Sequence, residues 1–204
     1  MKRALAFAEA FLMMAVLQGA RIGIECAVKP YFTDTDFVRR MTTAAVMILL
    51  SVCVFAYARL RKTPLSLFPK RFDKWYIIVT CVSAALLISS PSNYTGEFQP
   101  ILLALYGSVV TPVYEELVFR GYLWNRLNSA LKKEIFTYLW SILLFGVWHL
   151  GYMLPHFITG NYVAVAWKFA AGIGYGAVLG FIRLKTKNCY STILAHGVMN
   201  IFMI

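Results

Sequence analysis

The chain has 204 residues, of which 60% are hydrophobic, 16% aromatic and only 14% charged. That composition excludes an ordinary water-soluble domain. The net charge of +11 raises nucleic acid as a partner, but no basic patch with interleaved aromatics occurs in a soluble-looking segment, so no nucleic acid is expected and the cations are read as membrane-topology signals.

Seven apolar stretches follow one another, at about residues 4–27, 40–59, 75–91, 99–122, 135–153, 162–182 and 189–204. They suit a hydrocarbon core about 30 Å thick. Lipid obliges the backbone to satisfy its own hydrogen bonds, so the expected fold class is all-α, a polytopic membrane helix bundle of about seven transmembrane helices. The first stretch, MKRALAFAEAFLMMAVLQGARIG, has the basic start of a signal peptide without a convincing small-x-small cleavage site, and is read as a retained helix. Glu9 within it is expected at the interface or satisfied by a neighbouring helix.

The connections carry the topology. Arg59, Arg61, Lys62, Lys70, Arg71 and Lys74 lie in 59–74, Arg120, Arg126, Lys132 and Lys133 in 120–134, and Arg183, Lys185 and Lys187 in 183–188, whereas 91–98 and 154–161 hold no Lys or Arg. Basic loops stay in the cytoplasm, which places the N-terminus there and the C-terminus outside. The 29–40 loop departs from the alternation, with Lys29, Arg39 and Arg40 offset by Asp34 and Asp36. The run RLNSALKKEI reads as a short interfacial helix or turn. Trp75, Tyr76, Tyr94, Trp124, Tyr138, Trp140, Tyr152 and Tyr162 fall near span ends, where an aromatic belt accounts for most of them. Cys26, Cys53, Cys81 and Cys189 are scattered without a CxxC, and read as small apolar core residues rather than disulfide or zinc ligands. With no linker and no strong repeat, residues 1–204 are expected to form a single membrane domain. The motif-bearing half is 99–204, and 1–98 supplies compatible helices.

Chemistry concentrates in that second half. Glu115 and Glu116 sit inside an apolar run, TPVYEELVFRGYL, where a charge costs about 2.5–3.5 kcal/mol unless partnered. Glu116 and Arg120 are four apart and can pair on one helix face, leaving Glu115 about 100° away toward another neighbour. His149 closes Phe145-x-x-x-His149. His196 and Asn200 project from one face of the last stretch. Each of these admits a structural reading: carboxylates locking helices through arginine, a hydrogen-bonded core histidine, polar helix-packing contacts. His156 after Pro155 reads as a solvated loop residue. Together, Glu115, His149, His196 and Asn200 bring an acid, two bases and an amide from three helices. A carboxylate beside an imidazole in a dry pocket can take a proton from water, and His or Asn can donate to the oxyanion formed when that water attacks a carbonyl. Glu and two His with an open position is also a catalytic zinc set, although no HExxH occurs and nothing requires a metal. No GxSxG supports a serine nucleophile.

The three motifs, E115-E116-L-V-F-R120, F145-G-V-W-H149 and H196-G-V-M-N200, resemble the EExxxR, FxxxH and HxxxN/D pattern of the type II CAAX prenyl endopeptidase family, also known as the CPBP or abortive-infection family of intramembrane proteases. The resemblance covers about 99–204 and leaves 1–98 as the variable part. It implies that Glu115 activates water with His149 assisting, that His196 and Asn200 form the oxyanion site, that Glu116 and Arg120 support the first motif, and that Phe145 shapes the pocket. It implies a glutamate-type hydrolase with no metal and no cofactor. The compact chain looks like the bacterial branch, which places it in a bacterial cell membrane with bacteriocin or signalling-peptide precursors, or anchored proteins, as substrates. A non-catalytic immunity or regulatory partner on the same scaffold is the alternative. An ion-coupled transporter is disfavoured by the lack of a repeat or broken-helix pair. One tension stands: counted from these span limits, Glu115 and His196 lie about 10–16 Å from the cytoplasmic ends and His149 over about 20 Å along its own span, so the depths of a shared site do not match.

Overall fold

The structure is a computed structural model that describes residues 2–33, 35–90 and 96–202. Among the described residues there is no strand. The helices are α1 (Lys2–Val28), α2 (Asp36–Leu60), α3 (Lys74–Ser89), α4 (Phe98–Leu131), α5 (Glu134–Leu150), α6 (Tyr162–Thr186) and α7 (Cys189–Phe202). A 3-10 turn at Gly151–Met153 and a helical turn at Leu154–Ile158 prolong α5. Side chains at the helix starts take up the orphan N–H groups: Thr35 accepts from Val38, Asp73 from Tyr76 and Asn161 from Ala164. Lys132 and Lys187, both left-handed with φ of 57° and 58°, end α4 and α6.

Five of these helices, α1, α2, α4, α5 with its prolongation, and α6, are long and apolar enough to cross a membrane. The chain is a membrane protein, and its fold is a helical membrane bundle. The third and seventh stretches are shorter than expected, 16 residues in α3 and 14 in α7; residue 91 and residues 203–204, counted into those spans, lie outside the described residues, as do Asp34 and Tyr94. The polarity of a soluble protein is reversed. Leu12, Val52, Ile88 and Trp167 are exposed, while Glu115, Glu116, Arg120 and His196 are buried. Lipid makes outward apolar side chains costless and drives the charges together inside.

The fourth helix corrects several expectations at once. It continues past residue 122 to Leu131, so the RLNSAL run is helix rather than a separate interfacial turn. Glu115 is therefore 16 residues, about 24 Å, above the end of α4, and His149 is 15 residues, about 22 Å, above the start of α5. In an antiparallel hairpin turning at 132–133 these two positions are level, and α7 begins beside Gly121, well above the end of α4, with Cys189 Sγ 3.5 Å from where a Gly121 Cβ would lie, which brings His196 to the same depth.

Inside α4 the helix changes pitch twice. Residues Tyr106–Val110 and Leu117–Leu123 form π-helical turns on either side of the paired glutamates. Pro112 has no N–H to return to the Ser108 carbonyl four residues back, and the Thr111 N–H reaches the Tyr106 carbonyl five back instead. At the second π turn two carbonyls are taken up by side chains. Arg183 Nε donates to Arg120 O at 3.0 Å, and Asn125 Nδ2 to Gly121 O at 2.8 Å. Arg183 was assigned to a loop by charge counting, but it is a buried residue of α6. Such turns recur at functional sites because they re-aim the side chains that follow.

Helix α6 meets α5 through small residues. A Cβ on Gly172 would lie 3.0 Å from Gly146 Cα, and one on Gly176 3.1 Å from Ile142 Cα, so the backbones touch as in small-xxx-small membrane packing. Below α7, the connection after α2 folds inward. Cys189 N–H donates to Ser66 O and Tyr190 N–H to Leu67 O, at 2.8 and 2.9 Å, with Leu65 buried behind them. The cysteine expectation needs correcting too: Cys26, Cys53 and Cys81 are exposed, and only Cys189 is buried.

Candidate active site

Glu115 and Glu116 lie in the short α-helical segment Thr111–Glu116 between the two π turns of α4, about 100° apart around the axis. Glu116 and Arg120 are fully buried, with Arg120 Nη1 donating to Glu116 Oε1 at 2.9 Å. The same oxygen accepts from His196 Nδ1 at 3.0 Å. Arg120 goes on to the Gly176 carbonyl of α6 at 3.3 Å and lies over the Phe145 ring at 4.3 Å. Glu116 thus ties α4, α6 and α7 together and has no face on the cavity. A charge pair removed from water in this way holds its geometry because separating the charges costs more than leaving them joined.

Glu115 is also buried, at 2% exposure, but its two oxygens differ. Oε1 accepts from Tyr152 Oη at 2.9 Å and from Trp148 Nε1 at 3.1 Å. Oε2 faces His196 Nε2 at 3.9 Å, too far for a direct hydrogen bond. No arginine pairs with it among the described residues. Glu115 lines a cavity of about 450 Å³ together with His149, His196, Asn200, Tyr175 and Lys168, between α4, α5, α6 and α7.

His149 is held by its own helix. Its Nδ1 lies 2.7 Å from the Phe145 carbonyl. A carbonyl only accepts, so Nδ1 carries a proton, and in the neutral ring Nε2 keeps its lone pair. Gly172 of α6 makes room for this ring, since a Cβ there would lie 3.0 Å from His149 Nδ1. His196 has the opposite surroundings, a carboxylate toward each ring nitrogen. Asn200 reaches the cavity wall but spends one N–H on the Gly107 carbonyl in the first π turn, at 2.8 Å. Gly197, beside His196, lies so close to the Ser108 carbonyl that a Cβ would collide with it. This contact seats α7 against α4 and sets the height of both His196 and Asn200.

The structure therefore brings Glu115, His149, His196 and Asn200 to one cavity, and it keeps Glu116, Arg120 and Phe145 behind its wall. Phe145, expected to shape the pocket, stands outside its lining; it packs edge-on against His149 and His196, with centroids 4.7 and 6.0 Å away, and under Arg120. Among the described residues, no three His, Cys, Asp or Glu side chains are gathered as ligands of one ion would be. Glu116 occupies His196 Nδ1 and Phe145 occupies His149 Nδ1, so only the Nε2 atoms remain for other partners.

Sequence reading missed the two donors on Glu115. Tyr152 had been assigned to the aromatic belt, and Trp148 had not been singled out. Their signal was the i, i+4 spacing of Trp148 and Tyr152 beside His149, which puts both rings on one face of α5 and its prolongation. The belt reading fails elsewhere as well: Trp124 is buried under Arg183, and Tyr138 donates to the Ala177 carbonyl at 3.1 Å.

Residues 97–202 match the family model described as Type II CAAX prenyl endopeptidase Rce1-like. No curated protein and no solved structure matches the chain.

Proposed function

The chain belongs to the type II CAAX prenyl endopeptidase Rce1-like family, a protease family, and we propose that it is an intramembrane endopeptidase that hydrolyses a peptide bond in a membrane-associated peptide or protein. The observation that carries this reading is the free oxygen of Glu115: Oε2 and His196 Nε2 stand 3.9 Å apart on the wall of a cavity that also holds His149. One water can touch both atoms there, with the Glu115 carboxylate as its base and the His196 ring beside it.

In the proposed reaction Glu115 Oε2 takes a proton from that water as its oxygen attacks the scissile carbonyl. His149 assists through Nε2, whose lone pair is left free by the bond from Nδ1 to Phe145 O. His196 donates from Nδ1 to Glu116; with a second proton on Nε2 it becomes the donor to the developing oxyanion, joined by the remaining Asn200 N–H. The proton on Glu115 then passes to the leaving amine. Tyr152 and Trp148 hold Oε1, so the reacting carboxylate does not have to reorganise. Glu116 and Arg120 act only by holding His196 and α4.

We read the substrate as a lipid-embedded or lipid-anchored peptide, because the cavity lies between helices whose outer faces are apolar. We read the N-terminus as cytoplasmic from the basic connections, and the membrane as bacterial from the resemblance of this compact chain to the family's bacterial branch. The test is cleavage of candidate precursor peptides by purified protein in lipid, wild type beside Glu115→Gln. Product from the wild type alone supports the enzyme. Equal binding and no product from both supports a non-catalytic partner protein.

A further inference from the structure

Helix α1 lies outside the family match, which begins at residue 97, and yet one polar face of it reaches the residues that hold the candidate base. Gln18, Arg21 and Glu25 follow at three- and four-residue spacing, so they share a side of a helix where charge is costly. We propose that Arg21 and Gln18 are positioning residues for Glu115, acting through Tyr152 and Trp148. The proposal rests on reading Glu115 as the base.

The contacts are continuous. Gln18 Nε2 donates to the Trp148 carbonyl at 3.0 Å. It lies flat on Gly151, where a Cβ would come 2.7 Å from that same nitrogen. Gln18 Oε1 accepts from Arg21 Nε at 3.1 Å. Arg21 Nη1 bonds Glu25 at 3.0 Å, and Glu25 is itself fixed by Thr43 Oγ1 of α2 at 2.9 Å. Held from both ends, the guanidinium sits 4.6 Å above the centre of the Tyr152 ring. That ring donates to Glu115 Oε1 and receives Trp148 Nε1 at 3.2 Å.

Two consequences follow. The ring cannot turn without breaking the cation–π contact, so its hydroxyl stays aimed at Oε1 and Oε2 stays free. A cation over the ring face also draws electron density from the phenol, which makes its O–H a stronger donor to the carboxylate. The N-terminal helices thus complete the site that the motif-bearing half only outlines. Gln18 serves by fixing the end of α5, and Arg21 by fixing and polarising Tyr152.

The experiment compares wild type, Arg21→Met, Arg21→Lys, Tyr152→Phe and the double variant Arg21→Met/Tyr152→Phe in lipid bilayers. Arg21→Met keeps the aliphatic stem and removes the charge. It should lower kcat by about 10-fold with KM unchanged, and Arg21→Lys should restore most of the rate because a cation again lies on the ring. If Arg21 works through the Tyr152 hydroxyl, the double variant is no slower than Tyr152→Phe alone. Losses that multiply, a change in KM in place of kcat, or a lowered melting temperature with kcat intact would overturn the proposal. An infrared difference spectrum against Glu115→Gln isolates the Glu115 carboxylate band and needs no substrate. The band should shift in Arg21→Met in the same direction as in Tyr152→Phe. An unmoved band overturns the positioning role even where the protein cleaves peptides. A shifted band in a protein that cleaves nothing overturns the protease reading and keeps the positioning role.

Discussion

Glu9 and Glu115 are both acids inside apolar helices, and their surroundings differ. Around Glu9 of α1, the Tyr122 hydroxyl and the Tyr57 hydroxyl both donate to Oε1, Arg126 Nε donates to Oε2 at 2.7 Å, and Arg61 lies 3.5 Å away. Both oxygens are occupied and two cations neutralise the charge. Around Glu115 the tyrosine is present as well, but both donors converge on Oε1, and no arginine pairs with it among the described residues. Its second oxygen faces a cavity and an imidazole. An acid with both oxygens paired to cations is a fastener that joins α1 and α2 to α4. An acid with one oxygen held and the other facing the cavity suits the proton exchange proposed for Glu115. Glu116 differs from both: Arg120 and His196 share its Oε1, its Oε2 is buried without a hydrogen-bond partner among the described residues, and the group has a cation beside it and no access to the cavity, so it is a fastener like Glu9. Adjacent residues of one helix therefore take different parts because different helices stand opposite them.

Substitutions can break this contrast. The largest effect is expected from Glu115→Gln, which keeps the shape and removes the base. Peptide cleavage should fall by about 10²–10⁴-fold, while the melting temperature in lipid stays near that of the wild type. A cleavage rate within a few-fold of the wild type would remove Glu115 from the chemistry. Glu116→Gln should do the reverse in kind. It leaves the Arg120 guanidinium buried without its counter-charge, a loss of about 3–5 kcal/mol, read as a lowered unfolding midpoint in detergent or lipid. If stability is unchanged and only kcat falls, the two glutamates must exchange roles.

Gly197→Ala sharpens the comparison from the other side of the cavity. Its new methyl meets the Ser108 carbonyl, and α7 must move away from α4. The cost is expected at about 1–3 kcal/mol, together with loss of cleavage, since His196 and Asn200 move with α7. A variant that is both stable and active would show that the α4–α7 seam tolerates displacement. Glu9→Gln should lower stability by about 1–3 kcal/mol through its lost charge-assisted bonds, with kcat retained when the assay is run below the unfolding temperature. Loss of kcat without loss of stability would mean that Glu9 belongs to the site. The smallest effect belongs to metal removal. Thorough chelation should leave cleavage unchanged, whereas loss on chelation and recovery with zinc would replace the glutamate-type mechanism with a zinc-dependent one.

What the sequence determined by itself was the class of the protein and the short list of residues to watch. Apolar runs of membrane length require helices, because lipid offers the backbone no other partner, and charges placed inside such runs stand out because lipid penalises them. The i, i+4 spacings of Glu116 with Arg120 and of His196 with Asn200 are local facts of one helix, and the first of these is a contact in the structure. Tertiary structure decided everything that depends on two helices at once. The extension of α4 to Leu131 brought Glu115 level with His149. The neighbours that met the two glutamates, Tyr152 and Trp148 on Glu115 and His196 on Glu116, came from other helices. Gly172 and Gly197 fixed how near α6 and α7 approach the site. The reach of Arg21 over Tyr152, more than a hundred residues along the chain, has no signature in local spacing. Periodicity and polarity act within a helix and can be read along it, whereas the pairing of faces depends on the shapes of two surfaces, which form only when the helices pack.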